Sequence, residues 1–329
     1  MRRLRGLFAL GTVAVLASGC AAGDRPTLAE RAEAAVESSA TLASTTTAPS
    51  ARWPAVGTDG QDRGVVTPTG VVVTVAERLD DGWRVVTPCN KQREITDGEV
   101  FRGAHVVIDP GHGGTEVGAV AGDLTEADLN LEVARELERI LEAEGMTVVL
   151  TRYGDYKLPI ESRTNIVNAL QPLLFVSIHH NGGEAAQRPT PGTEVFYQQA
   201  DPDSRRLAGL IWEDVFAAFS AYGGPWRGAD DAGAIYRRGR DGSDFYGVLR
   251  RTAGVPSVLV EAAYLSHPRE AGLLARPDVQ TAEAAAIARS IVRFLTTSDP
   301  GSGFMEPNFR GYGSSGGGTF ANCTDPKLS

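Results

Sequence analysis

Basic residues are in the minority in this chain: 32 Lys and Arg stand against 41 Asp and Glu, a formal charge of −9 over 329 residues. A nucleic-acid binder needs a basic face, so this shortage argues against that class. Cysteine is scarce, with only Cys20, Cys89 and Cys323 present, too few for a zinc clip built on thiolates alone. No internal repeat is visible, which argues against a solenoid. The apolar run Leu7–Leu16 is too short to cross a bilayer. What remains is ordinary globular composition, 42% hydrophobic and 22% charged, able to bury a core.

The first twenty residues read as a targeting segment rather than structure. Arg2, Arg3 and Arg5 precede the Leu7–Leu16 run, and Leu16-Ala-Ser-Gly-Cys20 resembles a lipoprotein cleavage box with Cys20 as the lipidated residue. Ordinary secretion is the alternative; both place the mature protein outside the cytoplasm. Residues 21–52, rich in Ala, Ser and Thr, read as a flexible tether. Cys89 and Cys323 are then an isolated pair in an exported protein, expected to form one disulfide, with two free thiols or a zinc clip lacking its other ligands as the alternatives.

Residues 53–100 carry strand-like runs at Val65-Val66, Val71–Val75 and Trp83–Val86, separated by Pro68-Thr-Gly and Asp80-Asp-Gly. They predict a small β module of the SH3-like kind. It serves either to bind a partner or as a cap on the rest, and the lack of an exposed aromatic stripe favours the cap. From 104 to 297 strands alternate with helices. Strands are expected at Val106–Asp109, Thr147–Leu150, Leu173–Ser177, Thr193–Tyr197 and Val258–Glu261. Helices are expected at Glu126–Glu144, Glu161–Leu170, Arg205–Phe219, Gly242–Ala253 and Thr281–Thr296. This pattern predicts an α/β domain with a mostly parallel sheet and helices on both faces. Tyr222–Gly242 reads as a glycine-rich loop, and residues 298–329 as an irregular tail.

Four apolar segments end at residues that bind metals or move protons. Val106–Asp109 runs into Pro-Gly-His112-Gly-Gly, Leu124-Thr leads to Glu126, Leu173–Ser177 runs into Ile-His179-His180-Asn181, and Val258–Val260 into Glu261. Ligands of open α/β sheets sit at the carboxyl ends of the strands. Two His and two Glu converging there make a set for a catalytic zinc: three ligands, an open position and a carboxylate base. Each residue also has a plain reading. His112 alone is a loop residue; Glu126 alone caps a helix. Strand alternation puts His179 and His180 on opposite faces, so only one of them points into a site. An unpaired carboxylate at Glu261 is costly unless a metal or hydrogen bonds compensate.

Together, order and spacing resemble the zinc-dependent N-acetylmuramoyl-L-alanine amidases, the type 3 catalytic domain. The resemblance runs from about Val106 to Leu295. Its carriers are Ile108-Asp-Pro-Gly-His112-Gly-Gly, Glu126–Leu131, Leu150-Thr-Arg152, Glu161-Ser-Arg163 with Asn165, Phe175–Asn181 and Val255–Ser266. It implies that His112, Glu126 and His179 hold one Zn2+ and that Glu261 is the catalytic carboxylate. It departs at His180, where a small apolar residue is usual, and at His267, where Asn is frequent; both are candidates for the substrate groove, as is Asn181. Asp109 is expected to accept a hydrogen from a ligand imidazole. Arg163 is either a carbonyl-polarising donor or, on the plainer reading, an ion pair tying helix to sheet. Arg205–Phe219 reads as a sheet-packing helix rather than an inhibitory insertion.

The implied reaction is hydrolysis of the amide between N-acetylmuramic acid and L-alanine of peptidoglycan, by an enzyme anchored outside the membrane through Cys20; any activator stays unidentified. A zinc carboxypeptidase acting on wall peptides and a non-catalytic wall-binding lipoprotein are the competing readings.

Overall fold

The computed structural model describes residues 52–182, 192–223, 232–309, 320 and 323–329. The expected targeting segment with Cys20, residues 21–51 of the expected tether and the Gly316 run of the tail lie outside the described residues.

Alternating valines build the first sheet. Strands β1 (Gly64–Val66), β2 (Val72–Arg78), β3 (Trp83–Val86), β4 (Gln92–Ile95) and β5 (Glu99–Phe101) form an antiparallel sheet in the order β4-β3-β2-β1-β5. Val65, Val73 and Val85 are fully buried on its inner side.

The larger sheet has the order β12-β11-β14-β10-β6-β9. Its strands are β6 (Val106–Pro110), β9 (Val148–Leu150), β10 (Leu174–Asn181), β11 (Glu194–Tyr197), β12 (Ala234–Ile235) and β14 (Ser257–Tyr264). A small hairpin, β7 (Val120–Ala121) with β8 (Leu124–Thr125), follows β6, and β13 (Arg237–Arg238) pairs with β15 (Asn308–Phe309) beyond the sheet. Every neighbouring pair is parallel except β11 with β14.

The helices are α1 (Glu126–Ala143), α2 (Ile160–Leu170), α3 (Pro202–Ser220), α4 (Gly247–Arg250), α5 (Pro268–Leu274) and α6 (Pro277–Thr296). Leu129, Val133, Leu137 and Leu141 recur at helical spacing along α1, and Thr125 caps it by accepting from the Asp128 amide at 3.1 Å. The pleat sends Val106, Ile108, Val176 and Ile178 to one face, where they pack with α1, α3 and α6. Val107, Val149, Phe175 and Leu259 face the other way, against α2, α4 and the valines of the small sheet. The β module therefore shares a core with the larger sheet. Cys89 and Cys323 form a disulfide. Beside it the Cys89 amide donates to Asp325 and Thr69 to the Lys327 carbonyl, so the tail is latched to the module. Closing so long a loop restricts the unfolded chain and contributes roughly 2–5 kcal/mol.

Several expectations need correction. β10 runs past the expected Leu173–Ser177 to Asn181, and β14 past the expected Val258–Glu261 to Tyr264, so both histidines and Glu261 lie within paired strands. The expected helix 242–253 shrinks to α4, because the Gly239 amide donates to Ser243 and the Phe245 amide to Arg237, closing a turn. Of the expected loop 222–242, residues 224–231 lie outside the described residues, while 234–235 form the edge strand β12. The tail is not wholly irregular: Phe304 bridges to Ala234 and 308–309 pair with β13. Among the described residues no helix is long and apolar enough to cross a membrane.

One buried carboxyl sets a pH test. Glu270, at the start of α5, accepts from the Tyr264 amide at 2.7 Å, and burial pushes it up to about 8 from an ordinary 4.5. A raised value means the folded state prefers the protonated form, so this contribution is complete below about 4.5 and is lost as pH rises through 8. Glu270→Gln mimics the protonated form. It should match the wild type in thermal unfolding at pH 4.5 and exceed it by ~1–3 kcal/mol at pH 9. A gap that does not change with pH would refute this account.

Candidate metal centre

His112, Glu126 and His179 are brought together at the carboxyl ends of the central strands. Their donor atoms all lie within 4.8 Å of one another. Glu126 Oε1 is 3.1 Å from His112 Nε2 and 3.0 Å from His179 Nδ1, and the two rings meet edge to face with centroids 4.9 Å apart. Donors at about 2.0–2.1 Å from a tetrahedral zinc stand roughly 3.3 Å from each other, so two imidazoles and a carboxylate at these separations fit that ion.

Each of these three residues is placed by a distinct local device. His112 has φ 62, a left-handed conformation uncommon outside glycine and found where surrounding structure enforces it. Glu126 is the first residue of α1; its Oε2 accepts from the Ala119 amide at 2.9 Å and its Oε1 from the His180 amide at 3.2 Å. Burial pushes this carboxyl up, but its contacts with both imidazoles prevail and hold it well below the usual range. Burial pushes the His179 imidazole down, against the pull of Glu126, which favours the neutral form that binds metals. Two glycines leave room for these side chains. A methyl group on Gly111 would collide with the His179 ring, and one on Gly118 with Glu126 and His112.

Glu261 stands in the same row. In parallel register His179 faces Glu261, and across the antiparallel pair Glu261 faces Glu194. Directly opposed residues share a sheet face. Glu261, 9% exposed, lines a cavity of about 270 Å³ with His112, His179 and Arg163. Its other wall is apolar: Leu158, Ile160, Tyr246, Val248 and Leu259. Glu116 also lines the cavity and pairs with Lys157 at 2.8 Å.

The matching family model, N-acetylmuramoyl-L-alanine amidase, spans residues 106–293. The chain belongs to this amidase family. It is similar to YqiI, an uncharacterised protein of Bacillus subtilis, at 33% identity over 208 residues covering 63% of this chain and 89% of that one. It is 29% identical over 208 residues to the germination-specific N-acetylmuramoyl-L-alanine amidase of the same organism, covering 59% of this chain and 81% of the relative. Among solved structures, Cwp6 from Clostridium difficile superposes with a TM-score of 0.51 at 27% identity, over 59% of this chain and 30% of that one. The chain is thus an N-acetylmuramoyl-L-alanine amidase, a hydrolase of peptidoglycan.

Around the amidase site Asp109, His180, Asn181 and His267 depart from expectation, while Arg163 follows its plainer reading as an ion pair tying helix to sheet. Asp109 does not accept from a ligand imidazole: its oxygens take the Thr151 hydroxyl at 2.5 Å, Arg163 Nη1 at 2.6 Å and the Ser177 hydroxyl at 2.7 Å. Burial pushes Asp109 up, but Arg163 and the hydroxyls outweigh it and keep the carboxyl below its usual range. Arg163, although it lines the cavity, donates to Asp109 and to the carbonyls of Pro110, His112 and Leu158, which ties α2 to the His112 loop. His180 is fully buried on the opposite face of β10, since alternation sends it away once His179 faces the cavity. Asn181, at a shift in strand register, donates to Glu194 at 2.6 Å, and His267 caps α5; neither lines the cavity.

Arg152 was visible only as part of a motif, and its task is structural. Fully buried, it donates to the carbonyls of Pro110, Gly111, Ala127 and Gly154, joining the His112 loop to the start of α1. Burial pushes it down to about 10, so it remains a cation at neutral pH.

Proposed function

We propose that the amidase holds one zinc ion through His112 Nε2, Glu126 Oε1 and His179 Nδ1, and that Glu261 moves the proton of the reaction. The observation that carries this reading is the row of His179 and Glu261 in paired register, with the three donor atoms clustered beside the cavity they line. When bound, zinc supplies Lewis acidity, ionising water near neutral pH and polarising an amide carbonyl. Glu261 takes the proton of the attacking water on a carboxylate oxygen and delivers it to the departing nitrogen, without which an amine anion would have to leave. Arg163 and Asp109 keep the His112 carbonyl and the strand ends in place. The apolar side chains of Leu158, Ile160 and Val248, which line the same cavity, would offer water no polar partner there.

The scissile bond on this reading joins the lactyl group of N-acetylmuramic acid to L-alanine. Digestion of purified peptidoglycan should release stem peptides with a free L-alanine amine and leave glycan without new reducing ends. New reducing sugars would mean a glycosidase, and release of terminal D-alanine alone a carboxypeptidase; both outcomes refute the proposal.

The basic and apolar N-terminal residues support export, and Leu16–Cys20 supports attachment of a lipid at Cys20. The enzyme would then work on the wall from the outer face of the membrane. Cys20→Ala should move the protein from the membrane fraction to the medium; an unchanged distribution would rule out this anchor.

A further inference from the structure

Behind the metal centre, on the face of β10 turned away from the cavity, lies a buried polar chain for which hydrolysis has no direct use. Asn130 Nδ2 donates to the Gly111 carbonyl at 3.2 Å, which orients the amide so that its Oδ1 faces His180 Nδ1 at 2.8 Å. His180 therefore carries a proton on Nδ1. Its Nε2 lies 3.1 Å from Glu283 Oε2 in the middle of α6. Neutral imidazole with that tautomer and an ionised carboxylate would set two acceptors against each other. The contact is a hydrogen bond only with a further proton between them, as imidazolium with carboxylate or imidazole with carboxylic acid. Either form is neutral overall, as burial of the pair demands: Asn130, His180 and Glu283 are all fully shielded from solvent.

Stability alone does not account for this arrangement. Among the described residues Glu283 Oε1 has no hydrogen-bond partner, and a buried polar pair is often no more stable than apolar residues of the same volume. The chain does, however, end on all three ligand segments. Gly111 precedes His112, and Asn130 lies one turn beyond Glu126 on the same side of α1. His180 follows His179 and gives its backbone N–H to Glu126 Oε1 at 3.2 Å.

We propose that Glu283 is a positioning residue: by fixing His180, and through it Asn130, it holds the three ligand segments at the separation a metal ion needs. The inference rests on the metal-centre reading above. Partners that orient ligands in this way usually change metal affinity ~10–100-fold when removed.

The test is the zinc dissociation constant of the full chain, measured by competition with a chromogenic chelator, read beside thermal unfolding of the metal-free protein. Glu283→Leu should weaken zinc binding ~10–100-fold in the folded protein. Glu283→Gln should stay close to wild type, because its amide N–H donates to Nε2 of a neutral His180. Asn130→Ala cuts the same chain at its other end and should reproduce the loss even if the leucine variant does not fold. Wild-type affinity in whichever of these two variants folds would overturn the inference, leaving the network a packing feature only. So would a glutamine variant as weak as the leucine one, since the loss would then not follow the hydrogen bond. A wild-type protein that binds no zinc would instead overturn the metal-centre reading, and the inference with it.

Discussion

Replacing Glu261 with glutamine should leave fold and zinc content unchanged and lower the rate of stem-peptide release ~10²–10⁴-fold, the usual cost of losing a general acid–base group. The amide is almost isosteric with the carboxylate, so β14 and its fully buried flanks Val260 and Ala262 have no reason to move. It cannot take up a proton, however, and so can neither activate water nor protonate the leaving amine. Glu261 is suited to this task by place as much as by chemistry. It sits one strand over from His179 in register and lines the same cavity. The measurement is the initial rate of release from purified peptidoglycan, at equal zinc content by metal analysis. Near-normal turnover would pass the proton transfer to another carboxylate, and Glu116, which also lines the cavity, is the first to examine.

Much of this cluster is legible in the sequence because each candidate ligand lies at or near the end of a regular element. A buried strand running into Pro-Gly-His112 and a helix opening at Glu126 are local patterns, and the strand period alone decides that His179 and His180 part company. What local patterns cannot show is which distant groups meet. Glu283 reads as one more polar residue in an amphipathic helix, yet it hydrogen-bonds a histidine 103 positions away. The strand at 194–197 is predictable, but its antiparallel pairing, which sets Glu194 opposite Glu261, depends on the path of the chain around the sheet. Arg163 illustrates the reverse case. Both of its readings were open until its donors were seen to be directed at Asp109 and three backbone carbonyls. The short α4 shows where composition misleads: the apolar residues at 245–249 suggest a longer helix, but the amide of Phe245 is already engaged by Arg237.

Loss of the metal should have the second large effect, and His179 is the residue through which to remove it. Its Nδ1, with His112 Nε2 and Glu126 Oε1, makes up the three clustered donors, and a two-ligand remnant of His112 and Glu126 offers a zinc ion neither the count nor the geometry of a closed protein site. His179→Ala should therefore contain little zinc after dialysis and release stem peptides at background rate. Chelation of the wild type should do the same, reversibly on adding zinc back. The fold should survive both, because the His179 side chain borders the cavity while the neighbours that hold β10, Ile178 and His180, remain buried. Metal analysis, circular dichroism and product release on the same preparations decide the matter. Full zinc occupancy in His179→Ala would show that the ligand set is drawn from other residues, and hydrolysis that resists complete removal of the metal would show that Glu261 works without one.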